Sequence, residues 1–558
     1  MDAQEIIRRF EQVRGERGVW EQHWQEISDY VLPRRGEFVG HPAGLSSGQA
    51  GGAKRTVKIF DGTAPWALEQ LASGLHGMLT GPAVRWFMLK AEDDALNQRD
   101  DVKRWLEAAS DRLYALFNGP QANFSAQAHE LYLDLAAFGT AVMLVDDQGP
   151  DGLRFQTRHL GECHIAESAT GRVDTLYRQF QFTARQAAQF FGARTPAAIA
   201  GAMEGQPERR FTFLHAVFPR GEAGPAERRV GGPGAALARN KPWASLYLSL
   251  EPREMISEGG FDEFPYLVPR WSKLTGERYG RSPAMTVLPD IKMVNAMTRT
   301  VIVGAQKMVD PPLLAPSDGF LNPIRTVPGG INYYDALAQR GPDAIKPLLT
   351  GGRPDIGLEL IQAVQQSVVR GFHVDWLTLR DGPQMTATEV LQRREERLRL
   401  LGPVVSRMQT EFQGPLIERT LKILERRSAP FWAAGEDGPL PLPPPELMQG
   451  ELAVDYVTPI GQAQKAVAVE SMARVIEGVE RLSAFDRALP GIVDAEAAVR
   501  EIADIYNAPM DLLRGPEQMA ALREEQASAA AREAEVAEGQ AVAGVAKDLA
   551  QAAGAAGR

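Results

Sequence analysis

A single cysteine, Cys163, stands in a chain of 558 residues. That excludes an internal disulfide framework and fits a reducing compartment. No apolar run approaches the ~20 residues that span a bilayer, so no membrane partner is expected. The N-terminus, MDAQEIIRRFEQVRGERG, is charged throughout and does not read as a signal peptide. Excess positive charge is missing too. A net charge of −10 argues against tight wrapping of nucleic acid through counterion release, though not against loose contact with DNA that must slide.

Chemical motifs are equally scarce. The sequence holds no GxxxxGK[ST], no GxGxxG and no GxSxG elbow. Gly276-Glu277-Arg278-Tyr279-Gly280 is a glycine pair ahead of a helix; it either cradles a phosphate or is a turn feeding that helix, and the turn is favoured. The eight histidines form no HxH or HExxH pattern. Cys163-His164 is an adjacent pair, and neighbours on a strand point to opposite faces, which is poor geometry for a metal or thiol site. Asp146-Asp147 ends a strand and has the carboxylates a metal-dependent nuclease would use, but a turn, GPDG, follows closely and a solvated turn is favoured. Arg85-Trp86-Phe87 with Lys90 either stacks bases or is a strand anchor, and the anchor is favoured. Arg8, Arg9, Arg14 and Arg17 alternate with glutamates and read as a salt-bridged helix face. No catalytic residue, metal ligand or cofactor is expected.

What is present is architecture. At 44% hydrophobic and 24% charged the chain is ordinary globular protein with room for several domains. Residues 2–30 are helical, 34–56 an exposed Gly/Ser/Arg-rich loop, and Asp61-Gly62-Thr63 opens a helix whose apolar side includes Trp66, Leu68 and Leu71. Strands at 141–147, LRFQTRHL, HIAES, TLYRQFQF, FTFLHAVF and ASLYLSLE make an antiparallel α+β block. Ser282 caps and Pro283 starts a second long helix that stops at Asp310-Pro311-Pro312, after about 40 Å. A Pro/Gly-dense head, 311–354, contains strand candidates LLAP and GGINYYD. Helix returns at 355–369, so the two helices should lie antiparallel. The stretch Met385–Leu424 carries apolar residues at helical spacing. Taken from Thr388 to Arg427 it would run about 60 Å, kinked at Gly402-Pro403 and Gly414-Pro415. A stiff linker, GPLPLPPPE, precedes a strand LAVDYV and helices at 460–482 and 494–506. Residues 517–558 are Ala/Glu-rich. The fold class is α+β, predominantly helical.

Four stretches in order resemble the head-to-tail connecting (portal) proteins of short-tailed bacteriophages. IFDGTAPWALEQLASGLHGMLTGPAVRWFML (59–89) is similar to that family's N-terminal block. GERYGRSPAMTVLPDIKMVNAMTRTVIVGAQKMVDPPLLAP (276–316) is similar to its stem helix. TATEVLQRREERLRLLGPVVSRMQTEFQGPLIERTL (386–421) is similar to its Thr-Ala-Thr-Glu-Val block and long wing helix, and DYVTPIGQAQKA (455–466) to its Tyr-Val-x-Pro-x-x-x-Ala-Gln element. The likeness spans roughly residues 1–510.

The resemblance implies a wing (1–281), stem helices (282–309 and 355–375), a clip (310–354), a channel loop (376–387), a long kinked wing helix (388–428), a Pro-rich linker (429–445), a crown (446–514) and a tail (515–558). It implies a ring of twelve copies at one capsid vertex, through which double-stranded DNA enters and leaves. Its expected partners are the terminase large subunit, then tail adaptor or nozzle proteins, with major capsid and scaffolding proteins around it. Thr378, Leu379, Arg380, Asp381, Gly382, Pro383 and Gln384 would face DNA. Pro311, Pro312, Asn322, Arg325, Tyr333, Tyr334 and Arg340 would dock terminase and adaptors, and Asp290, Lys292, Arg299 and Lys307 would line the stem. The rival readings are a metal-dependent nuclease using Asp146 and Asp147, and a tail adaptor ring component.

Overall fold

The computed structural model describes residues 3–36, 38–39, 55–82, 85–148, 152–221, 240–251, 253–316, 325, 327–334, 346–347, 354–377, 400–427, 443–447, 452–457, 459–482, 492–506, 514 and 518–532. It divides into two compact units, one of residues 1–86 and 112–438, the other of 87–111 and 439–558.

The larger unit opens with α1 (Ala3–Gly15) and α2 (Gly18–Tyr30). α1 buries Ala3, Ile6, Ile7 and Phe10, one face at helical spacing. Just past the break at Glu16–Arg17, Glu21 makes the expected (i, i+4) ion pair, at 2.6 Å, with Arg17, which is nevertheless turned inward. That residue is 2% exposed, and its guanidinium donates to the carbonyls of Leu160 (3.2 Å), Gly161 (2.9 Å) and Cys163 (2.7 Å). Arg9 does pair with Glu5 as expected. The 34–56 loop lies mostly outside the described residues, but Phe38 at its start is buried.

α3 (Thr63–Leu79) packs on α4 (Phe124–Phe138). Trp66, expected on its apolar side, is half exposed. Gly139 ends α4 at φ +76°, a conformation that favours glycine. It also lies directly against the backbone of Gly280, so that a Cβ at either position would overlap the other's carbonyl. Trp271 N–H donates to Gly139 O (2.9 Å) and Gly280 N–H to Thr140 Oγ1 (2.8 Å).

Two antiparallel sheets follow. β1 (Val142–Asp147) pairs with β2 (Leu153–Arg158), and β3 (Cys163–Glu167) with β4 (Val173–Thr183). Thr183 and Gln186 form a capping box at α5 (Ala184–Phe191), and α6 (Ala197–Gly205) comes next. β5 (Arg210–Pro219), β6 (Trp243–Ser249) and β7 (Glu254–Phe261) complete a five-stranded meander in the order β3-β4-β5-β6-β7. β8 (Tyr266–Leu267) closes the smaller sheet beside β1. Along the meander His164, Tyr177, Ala216 and Leu246 lie in register and share one face. α1 covers that face, while α5 and α6 cover the other.

α7 (Pro283–Val309) then runs out, and α8 (Pro354–Gly371) runs back. Between them lie β9 (Leu313–Pro316), β10 (Ile331–Tyr334) and β11 (Lys346–Pro347). These form a small sheet with β9 central, parallel to β10 and antiparallel to β11. The expected single rod from 388 is described only from residue 400. It is α9 (Gly402–Met408), one π turn at Gln409–Gln413, then α10 (Gly414–Arg427). Pro415 has no N–H and its ring would strike the Glu411 carbonyl in α geometry. The Gly414 N–H bonds Gln409 O instead. The extra residue keeps Leu401, Val405, Met408, Phe412 and Leu416 all buried.

Arg270, 2% exposed, holds this turn. Its backbone N–H and Nε reach Glu411 Oε2 (2.9 and 3.1 Å) and its Nη2 reaches Oε1 (2.7 Å), while Nη1 pairs with Glu167. Arg419 donates twice to Val145 O (3.2 and 3.0 Å), and burial lowers its pKa to about 10.

In the smaller unit, strand Phe87–Ala91 pairs antiparallel with strand Leu452–Tyr456, and Lys90 bridges Asp455 at 2.9 Å. Helices Pro459–Leu482 and Ala495–Tyr506 pack together, the second capped by Asp494 on the N–H groups of Glu496 and Ala497. Residues 518–532 are helical.

Candidate functional site

The antiparallel pair α7/α8 carries the four expected stem residues, Asp290, Lys292, Arg299 and Lys307, all on α7. Ser282 makes the start of α7 a joint: its Oγ accepts from Met285 N–H (3.0 Å) and donates to Ala137 O (2.7 Å). Val294, Ile361 and Val364 form the shared core. The helices are close at both ends. A Cβ on Gly371 would enter Val287, and one on Gly357 would come within 2.8 Å of Val301.

Two opposite flanks of the pair carry apolar groups open to solvent. On one flank Asn295 Oδ1 accepts the N–H groups of Phe60 (2.7 Å) and Asp61 (3.1 Å), and Gln365 donates to Asp61 (2.7 Å). Helical spacing puts Arg299, Ile302 and Val309 in line with Asn295, and Leu358 in line with Gln365. Arg299 lies 5.5 Å over the Phe60 ring. Phe60 and Ile302 are 42% exposed and Leu358 53%. The other flank is marked by Ser367 Oγ donating to Asp290 (2.7 Å). Met293 and Leu360 share that side by the same spacing and are likewise exposed.

Lys292 bridges Glu26 of α2 at 2.7 Å, and Lys307 sits in the last turn of α7. Pro311 and Pro312 lead into β9. Arg325 is exposed, and its carbonyl and N–H are held by the Asn332 side chain. Asn332 is a buried position that sequence reasoning passed over. Tyr333 and Tyr334 stand opposite Ala315 and Pro316 in the β9–β10 register. Asn322, Arg340 and all of Thr378–Gln384 lie outside the described residues.

The chemical alternatives find little geometry. Asp146 Oδ2 accepts from Gln148 (2.5 Å) at the end of β1. Among the described residues no three His, Cys, Asp or Glu side chains are placed to hold a metal. Cys163 is buried and burial pushes its thiol up to about 12. Trp86 stacks against the adjoining rings of Phe117 and Phe124 and is 3% exposed, so it presents no ring to a base. Gly276–Gly280 is a turn in which Arg281 bonds Glu277 and Arg278 pairs with Glu16. Among the described residues no helix is long and apolar enough to cross a membrane.

The chain belongs to a family of bacteriophage connectors. A model of the family described as bacteriophage head to tail connecting protein matches residues 3–513. The chain is 33% identical to a probable portal protein of Bordetella phage BPP-1 over 534 residues, 94% of this chain and 90% of that protein. It is 29% identical to the portal protein of Salmonella phage epsilon15 over 560 residues, 99% and 96% of the two. A chain from the virion of a native gene transfer agent particle aligns at 10% identity and TM-score 0.30, covering 77% of this chain and 91% of that one.

Proposed function

We propose that this chain is a structural portal subunit that closes head to tail into a ring, most naturally of twelve, at one vertex of a phage capsid. Double-stranded DNA would pass through the bore during packaging and ejection. The end-to-end likeness to named portal proteins carries the reading. The α7/α8 pair supports it, because apolar groups exposed on two opposite flanks suit a heterologous contact, one flank meeting the other on the next copy.

In this reading α7 and α8 are the stem, the β9–β11 sheet belongs to the clip that docks terminase and later adaptors, and residues 446–514 form the crown. The protein performs no catalysis; the motor that hydrolyses nucleotide is a partner. Residues 376–387 line the channel, with Arg380 touching passing phosphates.

Electron microscopy of the purified full-length protein tests the proposal. Annular particles with an open centre are expected. A monomer without a central hole at all concentrations, active on some substrate, would overturn it.

A further inference from the structure

The five-stranded sheet has two covers, and they are built differently. Beneath α5 and α6 the sheet offers Phe180, Phe211, Phe213 and Ile256, an apolar layer in which the Ser249 hydroxyl, opposite Phe213, is also unpaired. Beneath α1 it offers Tyr177, Leu214, Ala216, Leu246 and Leu248, but polar side chains are trapped there as well. His164 is 1% exposed, and neither of its ring nitrogens has a hydrogen-bond partner. The carbonyls of Glu162 and Tyr177 approach it without reaching hydrogen-bond geometry. Gln179 and Gln181 alternate with Tyr177 along β4 and so share its face; each has an orphaned Oε1. Buried polar atoms left unpaired favour the state in which water reaches them. This cover is therefore the weaker of the two.

The surroundings of His164 sharpen the point. The ring of Phe10 meets it edge-on at 5.0 Å and 83°. The charged groups acting on it are Arg17, at the junction with α2, and Arg14, on α1. Burial first, then these two cations, hold its pKa well below the ordinary value. Arg17 is clamped by three carbonyls, whereas α1 ends at Gly15, just before it.

We propose that α1 is an acid-releasable arm: when His164 takes up a proton from solvent, Ala3–Gly15 swings off the sheet about Glu16–Arg17. The sign follows from linkage. The undocked imidazole titrates near 6.5 and the docked one far lower, so each pH unit below 6.5 favours undocking about tenfold until the docked pKa is reached. Arg17 and α2 stay in place.

Hydrogen exchange of the full-length protein, read as protection of residues 3–15, tests this. Opening of α1 should be about thirtyfold more frequent at pH 5.0 than at pH 7.5, with α4 and β5 unchanged. His164→Phe should remove the difference. Arg14→Gln, which takes away a repelling cation without touching the core, should raise the pH below which opening stops increasing. Equal protection at both pH values, an unaltered pH dependence in His164→Phe, or a plateau at unchanged pH in Arg14→Gln would each overturn the proposal.

Discussion

The two halves of α7 make an instructive contrast. From Pro283 to Asn295 the helix buries Ala284, Met285, Val287, Leu288, Ile291 and Val294. From Ala296 onward the same helix exposes Ile302, Met308 and Val309. The apolar spacing does not change along its length, but the neighbours do. The base is wedged among α2, α4 and α8, while the outer half has α8, as at Val301 against Gly357. Helical periodicity records that a side wants cover, not whether the chain itself supplies it.

The base should therefore fail through folding and the outer half through assembly. The largest effect is expected where the base is fixed. Gly139→Ala forces a left-handed backbone position and pushes a methyl into Gly280, and Gly280→Ala pushes a methyl into the Gly139 carbonyl. Each should cost at least ~4 kcal/mol, read as loss of soluble protein or a collapsed denaturation midpoint. Arg270→Met comes next. It leaves Glu411 with Arg407 and Glu167 with Lys273 as their remaining cations and opens a buried gap, for about 3 kcal/mol, measured by urea unfolding. Gly371→Ala drives a methyl into Val287 and should cost about 1–3 kcal/mol. Val287→Ala in the same chain should return part of it, a coupling that a double-mutant cycle would resolve.

Much of this was legible along the chain. The Ser282–Pro283 cap, four of the five strands of the meander, the out-and-back helices and the irregularity at Gly414-Pro415 follow from local rules, because caps, alternation and proline act within a few residues. The partnerships did not. Nothing local in Phe87–Ala91 says that it pairs with Leu452–Tyr456, and Arg17 has the composition of a surface residue until three carbonyls are found around it. Glu254–Phe261 was passed over because Gly259-Gly260 weakens its strand pattern. In the helix pair, sequence marked the charged positions Asp290, Lys292 and Arg299. Phe60 and Leu358 emerged only once distant segments were brought to one flank.

The smallest effect on folding belongs to Ile302→Asp, which sharpens the contrast most. Ile302 is already 42% exposed, so a carboxylate there replaces surface with surface, and the unfolding midpoint should move by no more than about 0.5 kcal/mol. A closed ring repeats every contact. A charge set into an apolar flank is then buried once per copy, and each burial of an unpaired carboxylate is costly. Rings should give way to monomers or open arcs in sedimentation at concentrations where the parent chain is annular. Leu360→Asp on the opposite flank should do the same, since a head-to-tail contact uses both sides. Assembly lost in one variant and kept in the other would mean that the two flanks do not meet.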